Sequence, residues 1–292
     1  MKLKVWGARG SIPAPGARTA RYGGNTSCCA LTLSDETLIV LDAGSGIREL
    51  GLELSQDLRE VHILLTHLHL DHIQGLLFFS PLFRPDVEVV IWGPEAPRGS
   101  LRDRIGRYLS APLSPVEIRG LPARVEFRSC PGGEWTLGSA RIRAAPVNHR
   151  GPTLGFRITE GEASLCYIPD HEPALGMPLE RTQNDWISGF DLACRASLLL
   201  HDCQYTDDEY PRHVGWGHSG LSDALMFARR TEVAKMRLFH HDPLHDDSQL
   251  DRLHESARAG WAALGGAETE LDMAVEGGEI SLDPDSGVAR AA

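Results

Sequence analysis

The apolar run Val61-His62-Ile63-Leu64-Leu65 enters Thr66, and His67, His69, Asp71 and His72 follow within six residues. No other stretch constrains the fold as much. The β-branched and apolar residues predict a buried strand, which must end in a loop carrying four side chains of metal-ligating type. Imidazole nitrogen and carboxylate oxygen suit Zn²⁺ and neighbouring divalent ions. Two histidines at i and i+2 reach one ion from a loop, and Asp71 and His72 can turn toward a second. His62, inside the strand, reads as packed or exposed rather than as a ligand.

The chain has 292 residues, 42% apolar and 24% charged, enough for a core of its own and typical of a soluble globular enzyme. No apolar run approaches the roughly 20 residues of a membrane span. The N-terminal stretch breaks at Gly7, before a signal peptide's apolar region could form. Six cysteines without a Cys-x-x-Cys pair read as reduced thiols of a cytoplasmic protein, with Cys28-Cys29 as buried small hydrophobes rather than a redox pair. A net charge of −11 disfavours a general nucleic-acid coat, because phosphate polymers are held by Lys and Arg. Across residues 98–157 eleven arginines face four acids, a local +7 against −18 elsewhere. That basic middle fits a small anionic substrate or an ordinary solvated surface.

Strand-like runs recur at 3–6, 30–33, 38–41, 61–65, 87–92, 141–145, 155–158, 165–168, 197–200, 236–239 and 280–282. Helical patterns lie at 47–54, 73–79, 101–109, 221–230 and 250–264, the last with Asp246 or Asp247 as N-cap and Gly265-Gly266 as its stop. This alternation, without a composition break, predicts one layered α/β or α+β domain over 1–292. Residues 94–122, rich in Pro and Arg, are the candidate insertion or lid. Three further polar residues stand where a strand meets a loop, His149, Asp170 and His240, as ligands completing a two-metal site would.

Taken together these motifs resemble the metallo-β-lactamase superfamily. His67-x-His69-x-Asp71-His72 is similar to its signature, and Asp42 in Leu41-Asp42-Ala43-Gly44 to its supporting aspartate. His149, Asp170 and His240 are similar to its later ligands, and Trp6-Gly7-x-Arg9-Gly10-Ser11 extends a weaker similarity to the start. The resemblance implies an αββα sandwich of two mixed sheets flanked by helices. It implies one metal on His67, His69 and His149, a second on Asp71, His72 and His240, and Asp170 between them. His240 is chosen over His241 because the family's last ligand precedes a proline by three positions. Asp42 would orient a ligand loop. Zn²⁺ is the expected ion, with Mn²⁺ or Fe as alternatives. Family members are often homodimers, which carries over as an expectation.

Asp170 stands where several zinc β-lactamases have Cys, and His69 where the di-iron oxidoreductases have Glu, so both branches are disfavoured. Trp216-Gly217-His218-Ser219, then a helix, a strand and His240, resembles the phosphodiesterase branch that includes ribonuclease Z. There such a histidine protonates the leaving oxygen; the structural alternative makes His218 a loop residue and Ser219 an N-cap. The expected chemistry is attack on phosphorus by metal-activated water, with His218 as general acid and Asp71 also orienting that water or accepting its proton. Asp202 is a supporting carboxylate or an acidic loop residue. His171, His213 and His241 are candidate substrate contacts, and the loop from Tyr22 to Ser27 could offer N–H groups to a phosphate or simply turn. Ribonuclease Z relatives carry a protruding arm for tRNA, and no Gly/Lys-rich arm is visible here. The expected substrate is therefore a small phosphodiester such as a cyclic nucleotide. The alternatives are a tRNA 3′-processing endonuclease, a thioester or lactone hydrolase on the same metals, and a metal-dependent binding protein whose only support is the acidic stretch 268–285.

Overall fold

The computed structural model describes residues 1–267 and 270–282; parts of the acidic stretch 268–285, and the end of the expected domain, lie outside the described residues. In chain order the first half forms β1 (Lys2–Gly7), β2 (Cys28–Thr32), β3 (Leu38–Leu41), α1 (Ile47–Glu53), β4 (Glu60–Leu64), α2 (Leu70–Ile73), β5 (Glu88–Gly93), α3 (Leu101–Tyr108) and β6 (Arg124–Ser129). The second half forms β7 (Gly133–Leu137), β8 (Ala140–Pro146), β9 (Leu154–Glu160), β10 (Ala163–Ile168), α4 (Phe190–Ala193), β11 (Leu198–Asp202), α5 (Leu221–Arg230), β12 (Met236–Phe239), α6 (Asp247–Ala263), β13 (Leu271–Met273) and β14 (Glu279–Ser281). Two seven-stranded mixed sheets result, in the orders β14-β1-β2-β3-β4-β5-β6 and β13-β12-β11-β10-β9-β8-β7.

Each sheet buries both faces, which explains why its central strands read as apolar runs. Leu31, Ile39, Leu64 and Trp92 of one sheet meet Ile142, Phe156, Leu165, Tyr167 and Leu200 of the other between the layers. Val40, Val61, Ile63 and Ile91 face outward onto α1 and α3 through Ile47, Leu50, Leu101 and Ile105. Ile168, Leu199 and Leu238 face outward onto α4, α5 and α6 through Leu192, Leu225, Phe227, Leu250 and Trp261. This is the αββα sandwich. His62 packs beside Trp92, whose indole nitrogen lies 3.5 Å from its Nδ1.

Residues 94–122, the candidate insertion or lid, join the parallel strands β5 and β6. Leu101, Ile105 and Leu109 sink into the outer core, as a strand-to-strand crossover requires. The pattern at 73–79 forms no single helix: α2 stops at Ile73, and a 3₁₀ turn follows at Leu76–Phe78. The Gly75 N–H bonds the Ala43 carbonyl, which diverts the chain after α2. No disulfide joins the six cysteines, five of them buried.

β3 pairs with β4, β10 with β11 and β11 with β12 in parallel, so their C-terminal ends line up along one rim. Ligand sites of open α/β sheets form at such rims. The loop after β1 is drawn to the same rim by Arg9, whose side chain is fully buried. Its Nε donates to the Gly23 carbonyl (2.8 Å), and its Nη1 donates to the carbonyls of His245 (2.6 Å) and Asp242 (3.1 Å). Arg9→Met leaves three carbonyls without that donor. With about 1–3 kcal/mol per buried unsatisfied group, urea unfolding should show a loss of about 3 kcal/mol or more; a loss below about 1 kcal/mol contradicts this role.

Candidate metal centre

Every expected ligand lies on that rim, in the loops after its strands or, for Asp71 and His72, in the short helix α2. Asp42 closes β3 in a left-handed conformation, φ +58°, and its carboxylate organises the loop after β4. It accepts from the Thr66 N–H (2.7 Å), the Thr66 hydroxyl (3.0 Å), His72 Nδ1 (2.8 Å) and the Tyr167 hydroxyl (3.0 Å). His72 therefore carries its proton on Nδ1 and turns Nε2 inward, as a ligand backed by a carboxylate does. His149 is fixed the same way: its Nδ1–H donates to the Gly217 carbonyl at 2.7 Å. Gly217 has φ +91°, and a Cβ there would lie 2.5 Å from His149 Nδ1, so this close approach requires glycine.

Asp170 occupies the centre. One of its oxygens lies 3.1 Å from His240 Nε2, 3.6 Å from His149 Nε2 and 3.8 Å from His67 Nε2; the other lies 3.0 Å from His72 Nε2. Asp71 lies 3.3 Å from His72 Nε2 and 3.4 Å from His240 Nε2, and it accepts the Ser11 N–H at 2.8 Å. His69 Nδ1 and His149 Nε2 are 3.2 Å apart. Four overlapping groups could each hold an ion: His67 with His69 and His149, Asp71 with His72, Asp170 and His240, His149 with Asp170 and His218, and Asp202 with His218 and His240.

The donor set fits divalent cations. His67 Nε2, His72 Nε2, His240 Nε2 and Asp170 Oδ1 are buried without a hydrogen-bond partner, although the His72–Asp170 approach is short. Such orphaned atoms are costly unless something else satisfies them. Burial, and then the neighbouring His72, push His67 well below the ordinary imidazole value; the Thr66 hydroxyl, whose own proton goes to Asp42, accepts from His67 Nδ1 at 3.1 Å, so Nε2 is left as a free lone pair. Burial would raise Asp170, but His240, His72 and His67 together hold it well below the carboxylate range. Among the described residues no Lys or Arg pairs with Asp71 or Asp170.

His218 lies beside this cluster, its ring 4.9 Å from those of His149 and His240. Its Nδ1 is 2.6 Å from Asp202. Asp202 is fully buried and also accepts the N–H groups of His171, Gln204 and Ser219, so it belongs to the site rather than to an acidic loop. Ser219 does not cap α5; Gly220 holds that position, and the Ser219 hydroxyl donates to the His171 carbonyl at 2.6 Å.

Three expected substrate contacts fall elsewhere or at the margin. His171 is fully buried, 2.9 Å from His201 and packed on Phe227. His241 is fully buried too, with Nε2 donating to the Ala274 carbonyl. Solvent reaches neither ring, so neither can touch substrate. His213 is half-buried and stacks on Tyr205 at 4.2 Å. The loop from Tyr22 to Ser27 is a turn rather than a phosphate seat, because the N–H groups of Gly24 and Asn25 already donate to Glu276.

The sequence reading missed the Ser11 N–H, Gln204 (3.2 Å from His240 Nδ1) and Glu172. Glu172, fully buried, accepts from the N–H groups of Gly215 and Gly217, each at 2.8 Å, and from the Tyr210 hydroxyl at 3.1 Å. Its place two residues after Asp170 was the one available signal.

Residues 37–241 match the family described as "Beta-lactamase superfamily domain". The chain belongs to this superfamily. It is 26% identical over 327 aligned positions to a protein of Kineococcus radiotolerans named "Ribonuclease Z", covering all of this chain and 98% of that one. Among solved structures it is similar to the metallo-beta-lactamase fold protein YhfI from Bacillus subtilis, with TM-score 0.69, 19% identity and coverage of 96% and 98%. A diphosphatase of the PhnP family gives TM-score 0.68 at 17% identity, covering 97% and 98%. The chain is a binuclear metal-dependent hydrolase of this superfamily. Among the described residues no helix is long and apolar enough to cross a membrane.

Asp42→Asn should weaken divalent-metal affinity 10–100-fold in competitive chelator titration, the usual cost of losing a carboxylate behind a ligand histidine. Unchanged affinity would mean that Asp42 serves the backbone alone.

Proposed function

We propose that this hydrolase is a phosphodiesterase acting on a small phosphodiester such as a cyclic nucleotide, in the cytoplasm. The observation that carries the reading is His218, held by Asp202 at 2.6 Å with a ring nitrogen within 4.8 Å of donor atoms of His149 and Asp170. A thioester expels a thiolate, which needs less help; an alkoxide leaving phosphorus needs a proton.

His67, His69 and His149 would hold one divalent ion, Asp71, His72 and His240 the other, and Asp170 would touch both, with Zn²⁺ the first choice for this nitrogen and oxygen set. When bound, the ions supply Lewis acidity toward a phosphoryl oxygen and lower the pKa of water. The chain's own groups do the rest. Asp202 accepts the Nδ1–H of His218 and stabilises the imidazolium, so that Nε2 can hand a proton to the leaving oxygen. Asp42 keeps His72, and the Gly217 carbonyl keeps His149, in the tautomer with Nε2 free. The Ser11 N–H fixes Asp71, which orients the attacking water or accepts its proton.

The name of the Kineococcus relative favours a second reading, tRNA 3′ processing. The small-substrate reading is supported by a sequence without a Gly/Lys-rich arm and by the net charge of −11. With metal-defined protein, bis-p-nitrophenyl phosphate should be hydrolysed. His218→Ala should lower kcat toward 2′,3′-cyclic AMP, whose leaving group is an alkoxide, by roughly 10²–10⁴-fold, and toward the nitrophenyl diester far less, with metal content retained by mass spectrometry. Equal activity toward the cyclic diester in His218→Ala contradicts the general-acid role; thioester or lactone turnover without phosphodiester turnover contradicts the reaction class. Efficient cleavage of a precursor tRNA, with poor turnover of cyclic nucleotides, would favour the second reading.

A further inference from the structure

The loop carrying His218 also carries a tryptophan that the proposed mechanism does not use. Trp216 is 53% exposed, yet its position is tightly determined. The N–H groups on both sides of it, those of Gly215 and Gly217, donate to the buried Glu172 carboxylate. Its own N–H donates to the His213 carbonyl at 2.9 Å. Gly215 and Gly217 hold φ +83° and +91°, a conformation that fixes the loop and that other residues rarely adopt. Its ring meets His213 edge-on at 5.0 Å, His213 stacks on Tyr205 at 4.2 Å, and Tyr205 meets His218 at 6.1 Å. An indole fixed this firmly and left in solvent two residues from the general acid is a surface prepared for contact.

A cation stands on the same loop. Arg150, next to His149, donates through Nε and Nη2 to the Gly215 carbonyl at 3.3 Å each. It is exposed, and among the described residues no carboxylate pairs with it. A flat aromatic face beside an uncompensated guanidinium suits a planar, electron-rich ring joined to an anion, and an acyl chain would use only the first. We propose that Trp216 and Arg150 form the seat for the non-reacting part of the substrate, a nucleobase that stacks on the indole while its phosphodiester lies toward His218. This assignment rests on the phosphodiesterase reading.

Two cyclic diesters of matched reactivity separate the base from the reaction: 2′,3′-cyclic AMP and glycerol 1,2-cyclic phosphate. Base–aromatic stacking lost on alanine substitution corresponds to roughly 10–100-fold in affinity. Trp216→Ala should raise KM for the adenosine diester by that factor with kcat changed less than about threefold. The glycerol diester should lose under about threefold, and Trp216→Phe should retain most of the wild-type preference. Equal KM changes for the two diesters, or none, overturn the assignment. If neither diester is hydrolysed the phosphodiesterase reading falls, and equilibrium dialysis of adenosine 5′-monophosphate decides the seat alone. Binding weakened about tenfold or more in Trp216→Ala and kept in Trp216→Phe supports it; binding equal in wild type and Trp216→Ala, or absent from wild type, overturns it.

Discussion

Five buried carboxylates crowd one rim of the sandwich, and nothing else in the structure makes sense without them. Asp42, Asp71, Asp170, Asp202 and Glu172 are each at most 6% exposed, and none pairs with Lys or Arg among the described residues. Removing a carboxylate from water costs several kcal/mol unless charge or hydrogen bonds replace the solvent. Three of the five are satisfied by donors: Asp42 by Thr66, His72 and Tyr167, Asp202 by His218 and three N–H groups, and Glu172 by the Gly215–Gly217 loop. Asp71 and Asp170 face imidazoles whose inward nitrogens are themselves unsatisfied. Divalent cations satisfy both sets at once, and membership of a metal-binding superfamily agrees with that demand.

The architecture follows from holding these groups still. Parallel strands end together, so β3, β4, β10, β11 and β12 deliver polar residues to one line while their apolar bodies fill three cores. The left-handed backbone at Asp42 and His240 (φ +60°) is strain of the kind that concentrates at functional sites. Each donor-satisfied carboxylate has a separate task. Asp42 orients His72, Asp202 orients His218, the proposed general acid, and Glu172 stiffens the loop that carries both His218 and Trp216.

Much of this was legible in the sequence because it is written in side chains. The strand into His67-x-His69-x-Asp71-His72, the polar residues after β10 and β12, and Asp42 all show as a change from apolar to ligating residues. What acts through the backbone was not legible. Ser11 contributes an N–H, and Glu172 binds two N–H groups, so neither needs a telling neighbour. Adjacent histidines misled for a simple reason. Both pairs lie just past a strand end, where the chain turns, at His240 through a left-handed residue, so Asp170 and His240 enter the cluster while His171 and His241 turn into the protein. The edge strands β6, with two Arg and a Glu, and β7, which opens on Gly-Glu, and the three-residue β13 carry too little apolar signal to be read as strands. The buried faces of Leu101, Ile105 and Leu109 made α3 legible, but not its task as a crossover.

The central claim is that this rim is built around two cations rather than around a proton-sharing cluster. Metal content, measured by plasma mass spectrometry after Zn²⁺ loading and gel filtration of wild type and Asp170→Ala, tests it most directly. The account predicts two ions per wild-type chain and loss of at least one in the variant. A wild-type chain that retains fewer than one ion, or a variant that still holds two, would contradict it.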